Sequence, residues 1–299
     1  MAGSQDYAPD PRNDAARVYV NGAMVPRAEA RVSVFDAGFG LGDGVWEGIR
    51  LHRGRLLFLD AHIDRLLAGA AAIDLTTGLD RAGIESALRK TVEANAMQHG
   101  VHVRIMVTRG QKATVNQDPR NALGRPTVVI TAEYKAASAP DKGLVLATSR
   151  IRCSPADVFD MRLNSHSRLN LILALQDAIR QGADEALMLD MQGNVSSCNA
   201  TNFFWVRQGA VFTSSGATCF NGITRANIMM LCRDHGIPLH EGDYGLDHTR
   251  AADEAFVTGT LAGVTPVCAL DGNTMGVPGP VTTRLRALYA ALMDADAAA

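Results

Sequence analysis

Lysine is scarce: of 29 basic residues only Lys90, Lys112, Lys135 and Lys142 are lysines, and the rest are arginines. A guanidinium stays protonated and does not serve as an amine nucleophile, so chemistry that needs a lysine amine has four positions open to it. Long apolar runs are missing as well. No stretch of about 18 apolar residues occurs, and the first residues, MAGSQDYAPDPRND, are polar with two prolines. Neither a membrane span nor a signal peptide is therefore expected, and the cytoplasm is the expected compartment. The five cysteines form no CxxC pair and have no close His at ligand spacing, which argues against disulfides and structural zinc and for packing roles. Basic runs are absent and the formal charge is −2, so no nucleic-acid or anionic-membrane face is indicated. What remains is a globular chain of 299 residues, 47% hydrophobic, long enough for two modest domains.

Residues 1–16 and 294–299 lack a periodic apolar pattern and read as frayed tails. Between them the reading is a small domain over 17–134, a linker over 135–143, where KAASAPDK is polar and rich in small residues, and a large domain over 144–293. Val18–Val20 into Asn21-Gly22 reads as a strand and tight turn, and Leu51–Leu59 around Arg53-Gly54 as a hairpin. Asp60 is the expected cap of a helix through Ile63, Leu66 and Ala70, followed by a helix over 81–97 and strands over 101–108 and 126–133. Downstream, helices are expected over 169–180, 223–234 and 281–293, and strands over 185–189, 202–206 and 254–258.

Three segments hold the chemistry. DAGFGLGDGVWEGIR (36–50) packs five glycines into 15 residues, suited to a ligand cradle or simply to tight turns. NGITRANI (221–228) sets Gly222 before a helix start, where free N–H groups and the helix dipole favour a phosphate. TGTLAGVTPV (258–267) brings hydroxyls to the end of a strand, for phosphate contact or for a plain loop.

Taken in order, VNGAMVPRAEARVSVFDAGFGLGDGVWEGIR, HIDRL, GADEALMLDMQGNV, NFFWV, NGITR and ADEAFVTGTLAGVTPV resemble the fold-type IV pyridoxal-phosphate enzymes. That group includes branched-chain and D-amino-acid aminotransferases and aminodeoxychorismate lyase. The resemblance implies an α/β (α+β) two-domain fold with its active site in the interdomain cleft, assembled as a homodimer. Carried residue by residue, it implies that Arg65 grips the cofactor phosphate, that Ile223 and Thr224 hold it at a helix start, and that Thr260 adds a hydroxyl. Arg104 lies where branched-chain enzymes place an Arg near the substrate carboxylate. Arg109 is five residues on and faces the other side of a regular strand. Phe39 and Trp46 line the pocket or pack the core.

Two positions depart from the pattern. Counting back from Gly182, the lysine that family members join to the cofactor, and whose amine moves the proton during reaction, is Asn164 here. Arg168, the nearest basic side chain, cannot replace that amine. The acidic residue of VxEGxxxN that keeps the pyridine nitrogen protonated is Ser197, whose hydroxyl could donate to an unprotonated nitrogen. His166 is either a proton carrier or a capping residue. Ser165 and Ser167 are candidate caps of the helix that follows, and Cys198 packs, since no group nearby would lower its pKa.

Three functions follow from the resemblance and its gaps. The first is a class IV aminotransferase-like enzyme acting on a small amino acid or keto acid without ordinary lysine chemistry, its pyridoxal 5'-phosphate or pyridoxamine 5'-phosphate held non-covalently or dispensed with. The second is a working branched-chain-type or D-amino-acid-type aminotransferase with another proton carrier. The third is a non-catalytic ligand-binding protein. No metal is expected in any of them.

Overall fold

Along Val101–Thr108, Val101, Val103, Ile105 and Val107 are buried, while His102, Arg104 and Met106 between them are partly exposed. That period of two marks a strand with one face on a core. The computed structural model describes residues 3–136 and 142–299, so most of the expected linker lies outside the described residues. The chain forms two units.

The N-terminal unit comprises Pro9–Ala136, Leu163–Arg168 and Asp296–Ala299. Its antiparallel sheet contains β1 (Arg17–Val20), β2 (Ala23–Pro26), β3 (Gly44–His52), β4 (Arg55–Leu56), β5 (Val101–Thr108) and β6 (Thr127–Tyr134), in the order β2-β1-β6-β5-β3-β4. Helices α1 (Ala37–Leu41), α2 (Leu59–Ala72) and α3 (Arg81–Ala94) accompany it. Ile63, Leu66 and Ala70 of α2, and Ile84, Leu88 and Val92 of α3, pack with Ile49, Val103, Ile105 and Ile130, the three-to-four spacing of an amphipathic face. The glycine-rich segment is helix and strand as well as turn. Asp36 caps α1 by accepting the Gly38 N–H at 2.8 Å, and Gly42 ends it at φ +69°, a conformation that favours glycine.

The C-terminal unit comprises residues 3–8, 142–162 and 169–295 among those described. Its mixed sheet is β7 (Leu144–Thr148), β8 (Glu185–Leu189), β9 (Val195–Cys198), β10 (Asn202–Arg207), β11 (Ala210–Ser214), β12 (Leu239–Gly242), β13 (Glu254–Gly259), β14 (Gly263–Leu270) and β15 (Asn273–Thr274). The order is β12-β11-β10-β13-β14-β7-β8-β9, with β15 on β14. Helices α4 (Ala156–Phe159), α5 (Leu169–Arg180), α6 (Ile223–Asp234), α7 (Asp247–Arg250) and α8 (Pro280–Ala298) as far as Ala295 complete the unit. β8 and most of β10 and β13 are buried along their length, as strands covered on both faces are.

Among the described residues, both expected tails include ordered segments. Residues Pro11–Ala15 form a 3₁₀ turn, and the Asn13 amide donates to the Tyr134 carbonyl and accepts its N–H, at 2.9 and 2.8 Å. At the other end α8 continues to Ala298, and the Asp296 carboxylate accepts the Phe58 N–H at 2.9 Å. Phe58 is thus the N-cap of α2, and Asp60 lies in its first turn rather than capping it.

Leu163–Arg168 is built into the N-terminal sheet. β4 pairs with β3 only at Leu51 and His52, which leaves the first half of that edge open. The segment fills it: Trp46 N–H donates to the Asn164 carbonyl and His166 N–H to the Gly44 carbonyl, both at 2.9 Å. Backbone groups on an open strand edge need such partners, and position 164 is fixed as a result.

Candidate active site

Glu47 faces α2 from β3, where the carboxylate is 1% exposed. His62 and Arg65 stand three residues apart on one face of α2 and converge on it. Arg65 donates from Nε to Oε1 and from a terminal nitrogen to Oε2, each at 2.7 Å, and His62 Nδ1 lies 2.7 Å from Oε2. Burial alone would push the Glu47 pKa up, but the Arg65 and His62 bonds outweigh it and hold the carboxyl below its usual range. No sequence argument singled out Glu47 or His62, although both lie inside the VWEGIR and HIDRL segments.

Asn164 is buried beside them. Its amide oxygen accepts a hydrogen bond from Arg168, and its amide nitrogen donates to Glu47 Oε1 over 3.5 Å. Arg168 also donates to the Ser165 carbonyl at 2.9 Å. The His166 ring turns Nε2 to the Val45 carbonyl at 3.2 Å, and burial lowers its pKa. Ser167 donates to the Gly42 carbonyl and the Ser165 hydroxyl has no partner, so neither caps α5.

On the sheet face away from the core, the Arg104 guanidinium lies 4.1 Å above the Trp46 ring. Gly48, the cross-strand partner of Arg104, has no space for a side chain: a Cβ there would sit 2.7 Å from the His102 ring. Arg109 is ion-paired with Asp43 at 2.7 Å. Phe39 is 70% exposed on α1 and is not gathered with Trp46. An apolar recess of about 280 Å³ opens beside Thr131, the cross-strand partner of Arg104 on β6, with Val18, Val20, Val32 and Val129 in its wall.

The C-terminal unit carries the other set. Gly222 is the N-cap of α6 and no side chain caps it, so the N–H groups of Ile223 and Thr224 point out of an uncapped helix start. The Thr224 hydroxyl is 3.4 Å from that of Tyr289. Thr260 is half-buried in the β13–β14 turn, and the Thr258 hydroxyl before it is buried without a partner. Asn202, the last residue of VxEGxxxN, clamps the approach to α6: its amide donates to the Phe220 carbonyl at 2.7 Å and accepts the Gly222 N–H at 3.1 Å. The Ser197 hydroxyl donates to the Thr201 carbonyl at 2.7 Å and accepts from the Asn202 amide at 3.3 Å, so its proton is spent inside its own turn. Cys198 is free, with its pKa pushed well up by burial. Among the described residues no cluster of three His, Cys, Asp or Glu could hold a metal, and no helix is long and apolar enough to cross a membrane.

The residues divide in their fit to a pyridoxal phosphate. An uncapped helix start, the Thr224 hydroxyl and an unpartnered Thr258 hydroxyl suit a phosphate monoester. At the two positions that the resemblance gives to the reacting end, an amide stands at 164 and a hydroxyl at 197.

The two sheets and these motif positions are those of the fold-type IV class. The chain belongs to the amino-transferase class IV family, whose model matches residues 44–270. It is 36% identical over 289 residues to branched-chain-amino-acid aminotransferase-like protein 2 of Arabidopsis thaliana, covering 96% of this chain and 52% of that protein. The chain thus spans about half the length of that relative and of its like protein 1. The branched-chain-amino-acid aminotransferase of Pseudomonas aeruginosa is 34% identical, with 91% of each chain covered. Among solved structures, the branched-chain aminotransferase of the thermophilic archaeon Thermoproteus uzoniensis with norvaline is similar at a TM-score of 0.88 and 29% identity, over 94% of this chain and 95% of that one.

Proposed function

We propose that the chain is an aminotransferase-type enzyme that takes pyridoxal or pyridoxamine 5'-phosphate by its phosphate, without a bond to the chain, and acts on a small aliphatic amino acid or 2-oxo acid. The observation that carries this reading is Asn164, whose buried amide is held by Arg168 and Glu47 where the family has its lysine. When bound, such a cofactor supplies an electron sink for charge at the substrate's α-carbon. The Ile223 and Thr224 N–H groups, the Thr224 and Thr260 hydroxyls and the Arg65 guanidinium hold the phosphate. Ser197, its proton given to Thr201, leaves the pyridine nitrogen without an acidic partner. Arg104 meets the substrate carboxylate, and the recess beside Thr131 takes an aliphatic side chain.

Borohydride treatment of the protein loaded with pyridoxal 5'-phosphate, followed by intact-mass measurement, tests the reading. The expected result is an unchanged chain mass with the cofactor recovered by filtration, and a stoichiometric increment on the chain overturns it. Relatives named as aminotransferases at 33% to 36% identity favour a second reading, in which amino transfer persists with His166 or the substrate amine as proton carrier. Formation of pyridoxamine 5'-phosphate in a single turnover with an amino acid would select it. Assembly as a homodimer belongs to the same proposal, and the exposed apolar side chains Val34, Phe35, Phe39 and Leu123 suit burial against a second copy.

A further inference from the structure

Two arginines meet at one indole. The guanidinium carbon of Arg104 is 4.1 Å from the centre of the Trp46 ring and that of Arg168 is 5.7 Å from it. They do not sandwich it. The Ser165 carbonyl accepts both the Trp46 ring N–H at 3.1 Å and the Arg168 Nε–H at 2.9 Å, which sets Arg168 at the pyrrole edge, while Arg104 lies over the face.

Positive charge is concentrated there. Arg104 is largely buried and makes no hydrogen bond or ion pair among the described residues. Glu133, the carboxylate that acts on it, is paired with Arg27 at 3.1 Å. Arg168 donates to neutral acceptors at Asn164, Ser165 and Leu163, and Glu47, the carboxylate that acts on it, is also bonded twice to Arg65 and once to His62. Burial lowers the pKa of both guanidiniums, that of Arg168 to about 10, as expected where a positive charge is taken out of water.

We propose that Arg168 joins Arg104 in a carboxylate-binding site at the Trp46 indole, made possible by Asn164. The amide oxygen of Asn164 draws the Arg168 guanidinium to this place, where a lysine ammonium would repel it. The ligand class is the carboxylate of a small aliphatic acid, its chain directed to the recess beside Thr131. The inference rests on the reading that Arg104 meets a substrate carboxylate, and it gives the site two guanidiniums rather than one charge on a strand.

Calorimetric titration with 4-methylvalerate and with its neutral amide tests this on the protein without cofactor. The acid is expected to bind more tightly than the amide. Arg168→Gln should weaken the acid about tenfold or more and leave the amide unchanged, a selectivity that mere loss of structure would not give. Arg168→Lys, which keeps the charge and loses the planar guanidinium that Ser165 and Asn164 position, should fall between. In the wild type the Nε–H resonances of both arginines should shift as acid is added, a readout that does not depend on a variant folding. Equal affinity for acid and amide in the wild type overturns both this inference and the role of Arg104. Acid affinity that falls in Arg104→Gln but not in Arg168→Gln, or an Arg168 resonance that does not move, overturns this inference alone.

Discussion

Arg65 closes on Glu47 through two parallel hydrogen bonds of 2.7 Å. Arg65, which the resemblance gives to a cofactor phosphate, is thus aimed by a buried carboxylate on β3, and the same carboxylate reaches the Asn164 amide. One acidic side chain orders both Arg65 and Asn164, so changes at Glu47 propagate to each.

Replacing Glu47 by Ala should cost about 3–5 kcal/mol of stability, because it leaves Arg65 and the fully buried His62 without their partner. Glu47→Gln keeps the shape and should cost less. Its folded-state pKa is depressed below the ordinary 4.5, so the stability it contributes is present above about pH 4.5 and is lost as pH falls through the folded value. Urea unfolding from pH 7 down to pH 3 should show a smaller acid loss in Glu47→Gln than in the wild type.

Glu185 should behave in the opposite sense. Its carboxyl is fully buried and its pKa is raised, burial outweighing the bonds from Ser4 N–H at 2.7 Å and the Thr201 hydroxyl at 2.9 Å. The folded state keeps this proton where the unfolded chain has released it, so stability falls as pH rises from the ordinary carboxylate range through the raised value. Glu185→Gln is expected to remove that slope and to be at least as stable as the wild type at pH 8. A variant whose midpoint still falls between pH 5 and pH 8 as the wild type's does would refute the assignment.

Placing an amine at position 164 gives a direct test of the proposed role of that position. The backbone there is already fixed by Trp46 and His166, so Asn164→Lys needs no rearrangement of the chain, and Glu47 is at hand to receive an ammonium. With pyridoxal 5'-phosphate the variant should form a covalent adduct that borohydride makes permanent and peptide mapping locates at residue 164. Arg168 opposes it by like charge, so the double variant with Arg168→Leu should load more completely than Asn164→Lys alone.

Much of this arrangement was legible in the chain itself, for reasons that are local. α5, α6 and β8 fall at their expected positions, because each has the apolar period or run of its element and a clear stop. α1 was hidden by its glycines. The order of both termini rests on the bonds Asn13–Tyr134 and Phe58–Asp296, across 121 and 238 residues, which no local pattern encodes. At the site, Asn164 and Ser197 stand in the sequence where the resemblance expects Lys and Glu. That the Ser197 proton is spent on Thr201, and that Asn164 is bonded to Arg168, follows only from the folded geometry.

Asn202 is where the C-terminal set is most exposed to a single change. Its amide holds both the Phe220 carbonyl and the Gly222 N–H, so it fixes the direction in which Ile223 and Thr224 present their N–H groups. A Cβ on Gly222 would lie 2.5 Å from the Asn202 oxygen, so the two positions are fitted to each other. Asn202→Ala should weaken pyridoxal 5'-phosphate about tenfold, the scale of one or two charge-assisted hydrogen bonds, while pyridoxal, which lacks the phosphate, binds as before. Fluorescence titration with the two compounds separates a misdirected helix start from general damage: a parallel loss of both would mean that Asn202 merely supports the fold. Thr224→Val, which removes one hydroxyl and keeps the N–H groups, should cost less than Asn202→Ala, because the larger share of phosphate affinity comes from the backbone donors that Asn202 aims.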